Sequence, residues 1–334
     1  MVGAVLVHES RIIGEGFHEK YGQAHAEVNC IHSVREQDIS LIPTSTLFVS
    51  LEPCVHHGKT PPCTDLIMSK KIPNVVIGCS DPYPEVKGKG IQKLKKAGVK
   101  VEVNILEKEC IELNKRFFTF HLEHRPYIIL KWAQSANEKM ARTDRQRFSI
   151  SNEFSRRLVH KWRSEEAAIL VGTNTAIHDD PELNNRYWQG ANPIRLVADM
   201  ELRLPPSLKL FNKEIPTIVF NSRRHSLEGI SFDSLHPIGK EALAYYQVTT
   251  DVSLVQQMVH ALYQMNIQSV MVEGGPKLLQ TFIDEEYWDE IRLITNRELR
   301  MEEGIASPVF NGIKVHEMDL FSDRIEIFKS NESQ

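Results

Sequence analysis

The chain has 334 residues, which is enough for two globular domains that each bury a hydrophobic core. Apolar residues make up 41% and charged residues 25%, and a net charge of −4 argues against a strongly basic surface that wraps nucleic acid. The five cysteines are too sparse for a disulfide framework, no apolar run reaches transmembrane length, and no signal-peptide pattern is seen. We therefore expect a cytoplasmic protein without membrane contacts.

The first part of the chain alternates strand and helix patterns. Two short apolar runs flank Glu9-Ser10, which predicts a β-hairpin. The elements predicted after it are a helix at 24–36, a strand at 46–51, a helix at 61–71, a strand at 74–79, a helix at 91–97, a strand at 99–105 and one long amphipathic helix at 106–123. This alternation predicts an α/β sandwich around a mostly parallel sheet.

A break at His124-Arg125-Pro126 ends the last of these helices. We place a domain boundary there and expect domains at residues 1–124 and 127–329. In the second domain, Ser151 is the expected N-cap of a helix over 151–164, with Phe154, Leu158 and Trp162 on one face. Further strands are predicted at 127–133, 168–171, 194–198, 217–220 and 269–273, and further helices at 253–265 and 277–285.

A set of metal-binding residue types lies in the first domain. His25-Ala26-Glu27 opens one predicted helix, Cys54 follows a strand, and Cys63 lies at the start of another helix. One imidazole and two thiolates fill three positions of a tetrahedral zinc and leave the fourth for water, whose pKa zinc lowers to about 7. Glu27 lies close enough to shuttle protons without binding the metal. The pattern predicts a catalytic zinc site of a hydrolytic deaminase.

Each of these residues also has a plainer interpretation, since free cysteines are often simply buried. The joint pattern favours zinc over that interpretation. For the remaining cysteines and the histidines between the two ligand cysteines, packing or a substrate contact is the expected role rather than metal binding. These residues are Cys30, His56, His57, Cys79 and Cys110.

The spacing between the cysteines departs from the general zinc-deaminase signature, H-x-E followed by P-C-x-x-C. Here eight residues separate them in Glu52-Pro53-Cys54-Val55-His56-His57-Gly58-Lys59-Thr60-Pro61-Pro62-Cys63. This stretch, together with His18 ahead of the His-Ala-Glu motif and Asp81-Pro82 downstream, resembles the deaminase domain of the bifunctional riboflavin-biosynthesis enzymes. In that family a pyrimidine deaminase is fused to a reductase.

The resemblance implies roles for individual residues. His25, Cys54 and Cys63 would bind Zn²⁺, and Glu27 would be the catalytic proton shuttle. The residues implied to contact the substrate are His18, His57, Lys59 and Asp81. A flexible ammonium such as that of Lys59 suits a ribose phosphate.

Two features depart from the family pattern. The family has a helix and a Pro-Asn-Pro turn ahead of the position of Val2-Gly3, so we expect the first domain here to lack its first helix. The family's usual Asp-Pro-Asn-Pro is Asp81-Pro82-Tyr83-Pro84 in this chain.

The second domain resembles the reductase half of the same family, which is similar to dihydrofolate reductase in fold. The resemblance rests on Leu130-Lys131-Trp132-Ala133-Gln134-Ser135, Ala168-Ile169-Leu170-Val171-Gly172, Asp179-Asp180-Pro181 with Leu183 and Arg186, Pro193-Ile194-Arg195 and Val272-Glu273-Gly274-Gly275-Pro276. The substrate residues it implies are Lys131, Arg163, Leu183, Arg186 and Glu273. The NADPH residues it implies are Ala133, Thr175, Asp179 and Gly275. The family's Leu-Asp-Gly after Ser135 is replaced by Ala136-Asn137-Glu138.

Residue chemistry supports the reductase only in part. Gly274-Gly275 follows a predicted strand and precedes a helix, where backbone amides can approach a pyrophosphate. The spacing is not G-x-G-x-x-G, so no Rossmann fingerprint is present. Lys131, Arg163 and Arg186 are cations that can pair with a substrate or cofactor phosphate, although taken singly each is typical of a solvated surface.

The leading hypothesis is a two-step enzyme of riboflavin biosynthesis that acts on a small pyrimidine ribosyl phosphate. It would use zinc for the deamination and NADPH for the reduction of ribosyl to ribityl. A homo-oligomer is expected, and no nucleic-acid partner. Two alternatives stay open: a tRNA or other nucleic-acid deaminase, and a reductase alone whose zinc site is structural.

Overall fold

A computed structural model describes residues 1–19, 22–55, 61–84, 86–143, 148–227 and 243–331. The chain divides into two units, Met1–Glu123 and His124–Gln334. In these described ranges, no helix is both long and apolar enough to cross a membrane.

The first unit is built on a mixed sheet. Its strands are β1 (Gly3–His8), β2 (Arg11–Phe17), β3 (Thr46–Leu51), β4 (Asn74–Cys79) and β5 (Lys100–Val103). Their order in the sheet is β2-β1-β3-β4-β5. The Glu9-Ser10 hairpin is confirmed, and it makes β1 and β2 antiparallel. Because β1 also pairs with β3 in the antiparallel sense, and only β3, β4 and β5 are parallel, the prediction of a mostly parallel sheet is wrong for this unit.

The helices of the first unit are α1 (Ala26–His32), α2 (Cys63–Ser69), α3 (Lys89–Lys96), α4 (Glu107–Leu113) and α5 (Lys115–Leu122), with a 3-10 helix at Glu36–Thr44. Helix α1 lies directly on the backbone of β2. A Cβ at Gly16 would come within 2.3 Å of the Cys30 nitrogen, and one at Gly14 within 2.5 Å of the Cys30 oxygen. Only glycine permits this approach, which fixes α1, and the motif at its start, against the sheet.

Two predicted helices in this unit are too long. Helix α1 ends at His32, and the hydroxyl of the next residue, Ser33, donates to the Cys30 carbonyl. The single helix expected at 106–123 is divided at Asn114, whose side-chain amide donates to the Cys110 carbonyl at 3.2 Å. In both cases a short polar side chain bonds to the helix backbone, a local competition that a hydrophobic pattern does not reveal.

The second unit contains a largely parallel sheet. Its strands are β6 (Tyr127–Ser135), β7 (Lys139–Ala141), β8 (Ala168–Gly172), β9 (Ile194–Ala198), β10 (Thr217–Asn221), β11 (Leu243–Gln247), β12 (Ser269–Val272), β13 (Glu290–Asn296), β14 (Ile305–Ala306), β15 (Ile313–Leu320) and β16 (Asp323–Lys329). As far as the structure describes it, the main sheet has the order β11-β10-β9-β8-β12-β6-β13-β16-β15. Strands β16 and β15 are antiparallel additions at one edge, while β7 and β14 form a small separate pair.

The helices of this unit are α6 (Glu153–Glu165), α7 (Thr173–Asp179), α8 (Leu254–Gln264) and α9 (Pro276–Asp284), with a 3-10 helix at Lys209–Phe211. Apolar residues cover both faces of the sheet. Along β6, Ile128 and Leu130 enter one core, whereas Tyr127 and Ile129 enter the other. Burial on both faces is typical of parallel strands and explains the nearly continuous apolar run here.

Two details of α6 correct the predictions. The N-cap is Asn152 rather than Ser151, since the Asn152 side chain accepts the backbone N–H groups of Phe154 and Ser155, both at 3.0 Å. Trp162 is buried as expected, but Phe154 is exposed and stacks on Phe321. The buried face of α6 therefore runs through Ser155 and Trp162.

Candidate functional site

The sequence-predicted zinc ligands meet in the first unit. His25 is the N-cap of α1, Cys54 follows β3, and Cys63 is the first residue of α2. The His25 Nδ1 atom lies 3.5 Å from the Cys54 sulfur and 3.3 Å from the Cys63 sulfur. All three ligand atoms lie within 4.8 Å of one another. One imidazole nitrogen and two sulfurs at this spacing fit a zinc ion with one position left open.

The two thiols of this site differ strongly in acidity. The Cys63 side chain hydrogen-bonds to the Cys54 sulfur, and the His25 ring adds to this effect, so that the pKa of Cys54 falls to about 4. The same hydrogen bond, together with burial, raises the pKa of Cys63. The backbone N–H of Cys63, at the start of α2, also donates to the Cys54 sulfur at 3.3 Å. A thiolate at Cys54 is what a zinc site requires.

Glu27 lies beside the ligands in the first turn of α1 and is only 3% exposed. Burial raises the pKa of its carboxyl, and the Cys63 side chain hydrogen-bonds to it. The three-residue ligand group, within the part of the chain that the structure describes, does not include Glu27. A buried acid with a raised pKa, next to metal ligands but outside their group, is suited to exchanging protons with a reactant.

Two of the implied substrate residues can be located here. The His18 ring lies 5.2 Å from the His25 ring, centroid to centroid, which places it next to the ligand group. Asp81 follows β4, is buried, and accepts the backbone N–H of Tyr83 at 2.8 Å. His57 and Lys59 lie outside the described residues.

Sequence reasoning assigned no role to Glu52, a buried carboxylate that orders this region. Its two oxygens accept four backbone N–H groups, those of Asp81, Gly88, Gly90 and Ile91, at 2.9–3.3 Å. The loop after β4 and the start of α3 are thereby tied to the end of β3, one residue before Pro53-Cys54. The sequence feature that could have pointed to Glu52 is an acidic residue directly after an apolar strand.

Tyr83, the departure from the family pattern, faces an aromatic group on α5. Its ring lies 5.2 Å from that of His121, which in turn lies 4.5 Å from the ring of Phe117. The hydrogen bond to Asp81 comes from the backbone N–H of residue 83 and so does not depend on the side chain there.

A buried charge cluster forms in the second unit. Glu273, just beyond β12, accepts two hydrogen bonds from the Arg163 guanidinium of α6, at 2.7 and 2.8 Å. The Lys131 ammonium on β6 lies 3.7 Å from the same carboxylate. Burial by itself raises the pKa of Glu273, but Arg163 and Lys131 outweigh it and hold that pKa at about 2. Burial lowers the pKa of Lys131 despite the adjacent carboxylate.

The Leu183–Arg186 segment adjoins this cluster. Arg163 donates to the Asn184 carbonyl at 3.2 Å, and Leu183 is buried in the core with φ +46°. The Arg186 guanidinium bonds to the Asn184 side chain at 2.6 Å. Of the implied substrate residues, Lys131 and Arg163 therefore both lie against Glu273, and Leu183 and Arg186 lie on a segment that Arg163 binds.

The implied NADPH residues lie on several elements. Gly275 has φ +79° and directly precedes α9. A Cβ at Gly274 would come within 2.9 Å of the Thr175 side chain, so α7 packs closely on this glycine turn. Ala133 is two residues beyond Lys131 on β6, and Asp179 is the last residue of α7. Backbone amides at the start of a helix of this kind fit a cofactor phosphate.

The turn that follows β6 also departs from the family pattern, and it has a defined structure. Glu138, where the family has glycine, adopts φ +59°. Asn137 braces the turn by accepting from the Ser135 hydroxyl and the Met301 N–H and by donating to the Met301 carbonyl. The left-handed backbone explains why glycine is the usual residue at this position.

Comparison with protein families agrees with this division of sites. Residues 1–79 match the cytidine and deoxycytidylate deaminase zinc-binding region, and residues 126–296 match the RibD C-terminal domain. The first match contains all three ligand positions and Glu27. The second contains the charge cluster and the glycine turn.

Individual relatives match most of the chain. The riboflavin biosynthesis protein RibD of Aquifex aeolicus is 39% identical, over 91% of this chain and 82% of that protein. The solved diaminohydroxyphosphoribosylaminopyrimidine deaminase/5-amino-6-(5-phosphoribosylamino)uracil reductase of Thermotoga maritima is 32% identical, with a TM-score of 0.86, and the match covers 98% of this chain and 91% of that one. Acinetobacter baumannii RibD has the same TM-score at 30% identity, with 99% and 92% covered.

Proposed function

Because the chain belongs to the RibD family, and is thus a bifunctional deaminase and reductase of riboflavin biosynthesis, we propose that Met1–Glu123 carries the deaminase and His124–Gln334 the reductase. The substrate is 2,5-diamino-6-ribosylamino-4(3H)-pyrimidinone 5′-phosphate. Its ring loses ammonia in the first step, and its ribosyl group is reduced to ribityl in the second.

The deaminase residues divide into metal ligands and proton carriers. His25, Cys54 and Cys63 hold Zn²⁺, which when bound supplies an acidified water nucleophile near neutral pH. Glu27 would take a proton from the attacking water and deliver it to the departing ammonia, a role that its burial beside the predicted ligands supports. The residues that bind the substrate are His18, His57, Lys59 and Asp81.

The reductase uses cations to hold a phosphorylated substrate against the cofactor. The substrate residues are Lys131, Arg163, Leu183, Arg186 and Glu273, and the cofactor residues are Ala133, Thr175, Asp179 and Gly275. NADPH supplies the hydride for the ribose C1. In this assignment Glu273 orients Arg163 and Lys131, because its carboxylate bonds to the first and neighbours the second.

One observation carries the proposal: the convergence of one imidazole and two thiols beside a buried glutamate. A structural zinc site is usually closed by four protein ligands. Among the residues that the structure describes, the ligand group has three members. Three ligands and an adjacent acid favour catalysis over the alternative of a structural site.

The test is to supply the pyrimidine substrate and NADPH and to follow ammonia and NADPH separately. We expect about one zinc per chain, ammonia release that is lost on chelation, and NADPH oxidation that persists with the deaminated substrate after chelation. Zinc without ammonia release would overturn the deaminase assignment, and no oxidation of NADPH with the deaminated substrate would overturn the reductase assignment. RNA binding that weakens steeply with salt would instead support the nucleic-acid alternative.

We also infer that copies of this chain associate in the cytoplasm. Strand β15 lies at one edge of the large sheet and exposes Ile313, Val315 and Met318, which supports a self-association surface. None of the five cysteines, which all lie in the described ranges, forms a disulfide, in keeping with a reducing compartment. Light scattering that gives the mass of a single chain would contradict the association.

A further inference from the structure

His160 is a buried histidine to which sequence reasoning assigned no role. It lies on α6, three residues before Arg163, and only 2% of it is exposed. Its Nδ1 atom accepts the backbone N–H of Arg186 at 3.1 Å. Since Nδ1 accepts, the proton of the neutral ring is on Nε2. The helix that carries Arg163 is thereby joined to the segment that carries Arg186.

A second contact runs from the same ring to the Arg186 side chain. The His160 ring meets the ring of Tyr187 edge-on, with centroids 4.7 Å apart. The Arg186 guanidinium lies over the Tyr187 ring at 4.9 Å. His160 therefore fixes the Arg186 main chain directly, and its side chain through an intervening aromatic ring.

The surroundings of His160 keep it uncharged. Burial and the nearby cations Arg163, Arg186 and Lys131 lower the pKa of this imidazole to about 4, against a smaller opposing effect of Glu273. At neutral pH the Nδ1 lone pair is therefore available to the Arg186 N–H. A charged ring would donate at both nitrogens and lose this bond.

We propose that His160 is a positioning residue of the reductase site, which holds Arg186 in place to bind the phosphate of the ribosylaminouracil substrate. This inference rests on the proposed function, which makes Arg186 a substrate residue. A guanidinium matches a phosphate only in a defined orientation, so a residue that fixes its backbone and side chain affects substrate binding. His160 does not touch the reacting atoms in this proposal, and hydride transfer is unaffected once the substrate is bound.

Two variants separate the acceptor from the ring. His160→Phe keeps an aromatic ring against Tyr187 but removes the acceptor, whereas His160→Asn keeps an acceptor near Nδ1 and removes the ring. We expect Phe to raise the KM for the deaminated substrate by about tenfold, or about 1.4 kcal/mol, with kcat changed by less than about twofold. His160→Asn is expected to have a KM close to that of the wild type. His260→Phe, at an exposed position of α8, is the matched control and should leave both constants unchanged.

A double-mutant cycle tests whether the effect passes through Arg186. In an Arg186→Ala background, His160→Phe should add little to the KM, because the residue it positions has lost its side chain. Additive effects, a Phe variant with the wild-type KM, or equal losses in the Phe and Asn variants would each overturn the proposal. If His160→Phe does not fold, as judged by thermal melting, His160→Leu, which also lacks the Nδ1 acceptor, supplies the same cycle with Arg186→Ala.

Failure of the proposed function gives a different result. In that case the wild-type chain itself would not oxidise NADPH with the deaminated substrate, and the cycle could not be measured. With wild-type turnover present, the cycle bears on His160 alone. Ammonia release is expected to be the same in every variant.

Discussion

The two units build their sites from different materials. In the first unit, an imidazole, two thiols and a buried acid come from two helix starts and one strand end. Glycines of β2 let α1 lie close to the sheet, and Glu52 binds the loop after β4 and the start of α3. In the second, the candidate site is an ion cluster around Glu273 with a glycine turn beside it. A metal site depends on a few residue types that have no common substitute. A charge cluster depends on burial, because burial strengthens charge interactions and shifts the pKa values of common acidic and basic residues.

This difference has a thermodynamic side. Removing one member of a buried ion pair lowers the stability of the folded chain, because an uncompensated charge then remains in a low-dielectric interior. In the first site, burial raises the pKa of Glu27 and so favours its neutral form, and a neutral substitute there leaves no uncompensated charge. We therefore expect substitutions in the first site to affect chemistry and those in the second to affect stability as well.

The substitution Glu27→Gln tests whether a change in the first site affects chemistry without affecting stability. The amide keeps the volume of the side chain but cannot carry a proton, so ammonia release should fall by about 10²- to 10⁴-fold. Zinc content and the thermal midpoint should remain near wild type, and NADPH oxidation with the deaminated substrate should not change. A large loss of stability in this variant would break the distinction between the sites.

The corresponding substitution in the second unit is Glu273→Gln. Arg163 and Lys131 then share a buried site without a carboxylate, and we expect a loss of about 3–5 kcal/mol in the free energy of unfolding together with loss of the reductase. Chemical denaturation measures the first effect and NADPH oxidation the second. Glu298→Gln, at an exposed acid of the same unit, should leave both unchanged. A stable Glu273→Gln chain would show that the cluster is not essential to the fold.

Acid should destabilise the second unit through its buried ionisable groups. The folded pKa of Glu273, about 2, is below its ordinary value of 4.5, so its contribution is present above pH 4.5 and is lost as the pH falls towards 2. The depressed pKa of His160, about 4 instead of 6.5, acts in the same direction from pH 6.5 downwards. Unfolding monitored between pH 7 and pH 3 should show falling stability, and a shallower fall in His160→Asn would identify that residue's share.

The smallest effect is expected at the turn after β6. Glu138 has a left-handed backbone, which costs an L-residue about 1–2 kcal/mol. Glycine avoids this cost, but its more flexible unfolded state offsets part of the gain. Glu138→Gly should therefore stabilise the second unit by about 0.5–1 kcal/mol, measured as a rise in its thermal midpoint. Glu138→Ala retains a Cβ and should give no such rise, which makes it the control.

The zinc site was predictable from the sequence because its chemistry allows few residue types. His25, Glu27, Cys54 and Cys63 could be selected without any knowledge of the fold, and the structure brings the three predicted ligands together. The alternation of strands and helices was predictable for a similar reason, since apolar periodicity follows directly from which face is buried. The mixed order of the first sheet was not, because pairing direction depends on contacts between distant segments.

The tertiary structure alone decided the roles of Glu52 and His160. A glutamate or a histidine in a sequence is most often a solvated side chain, and only burial among backbone N–H groups or cations gives it a positioning task. The same holds for the pairing of Glu273 with Arg163, 110 positions apart in the chain. Residue type by itself therefore determined the metal chemistry of this protein. The folded chain determined its electrostatics, because charge interactions depend on distance and burial, which no local pattern encodes.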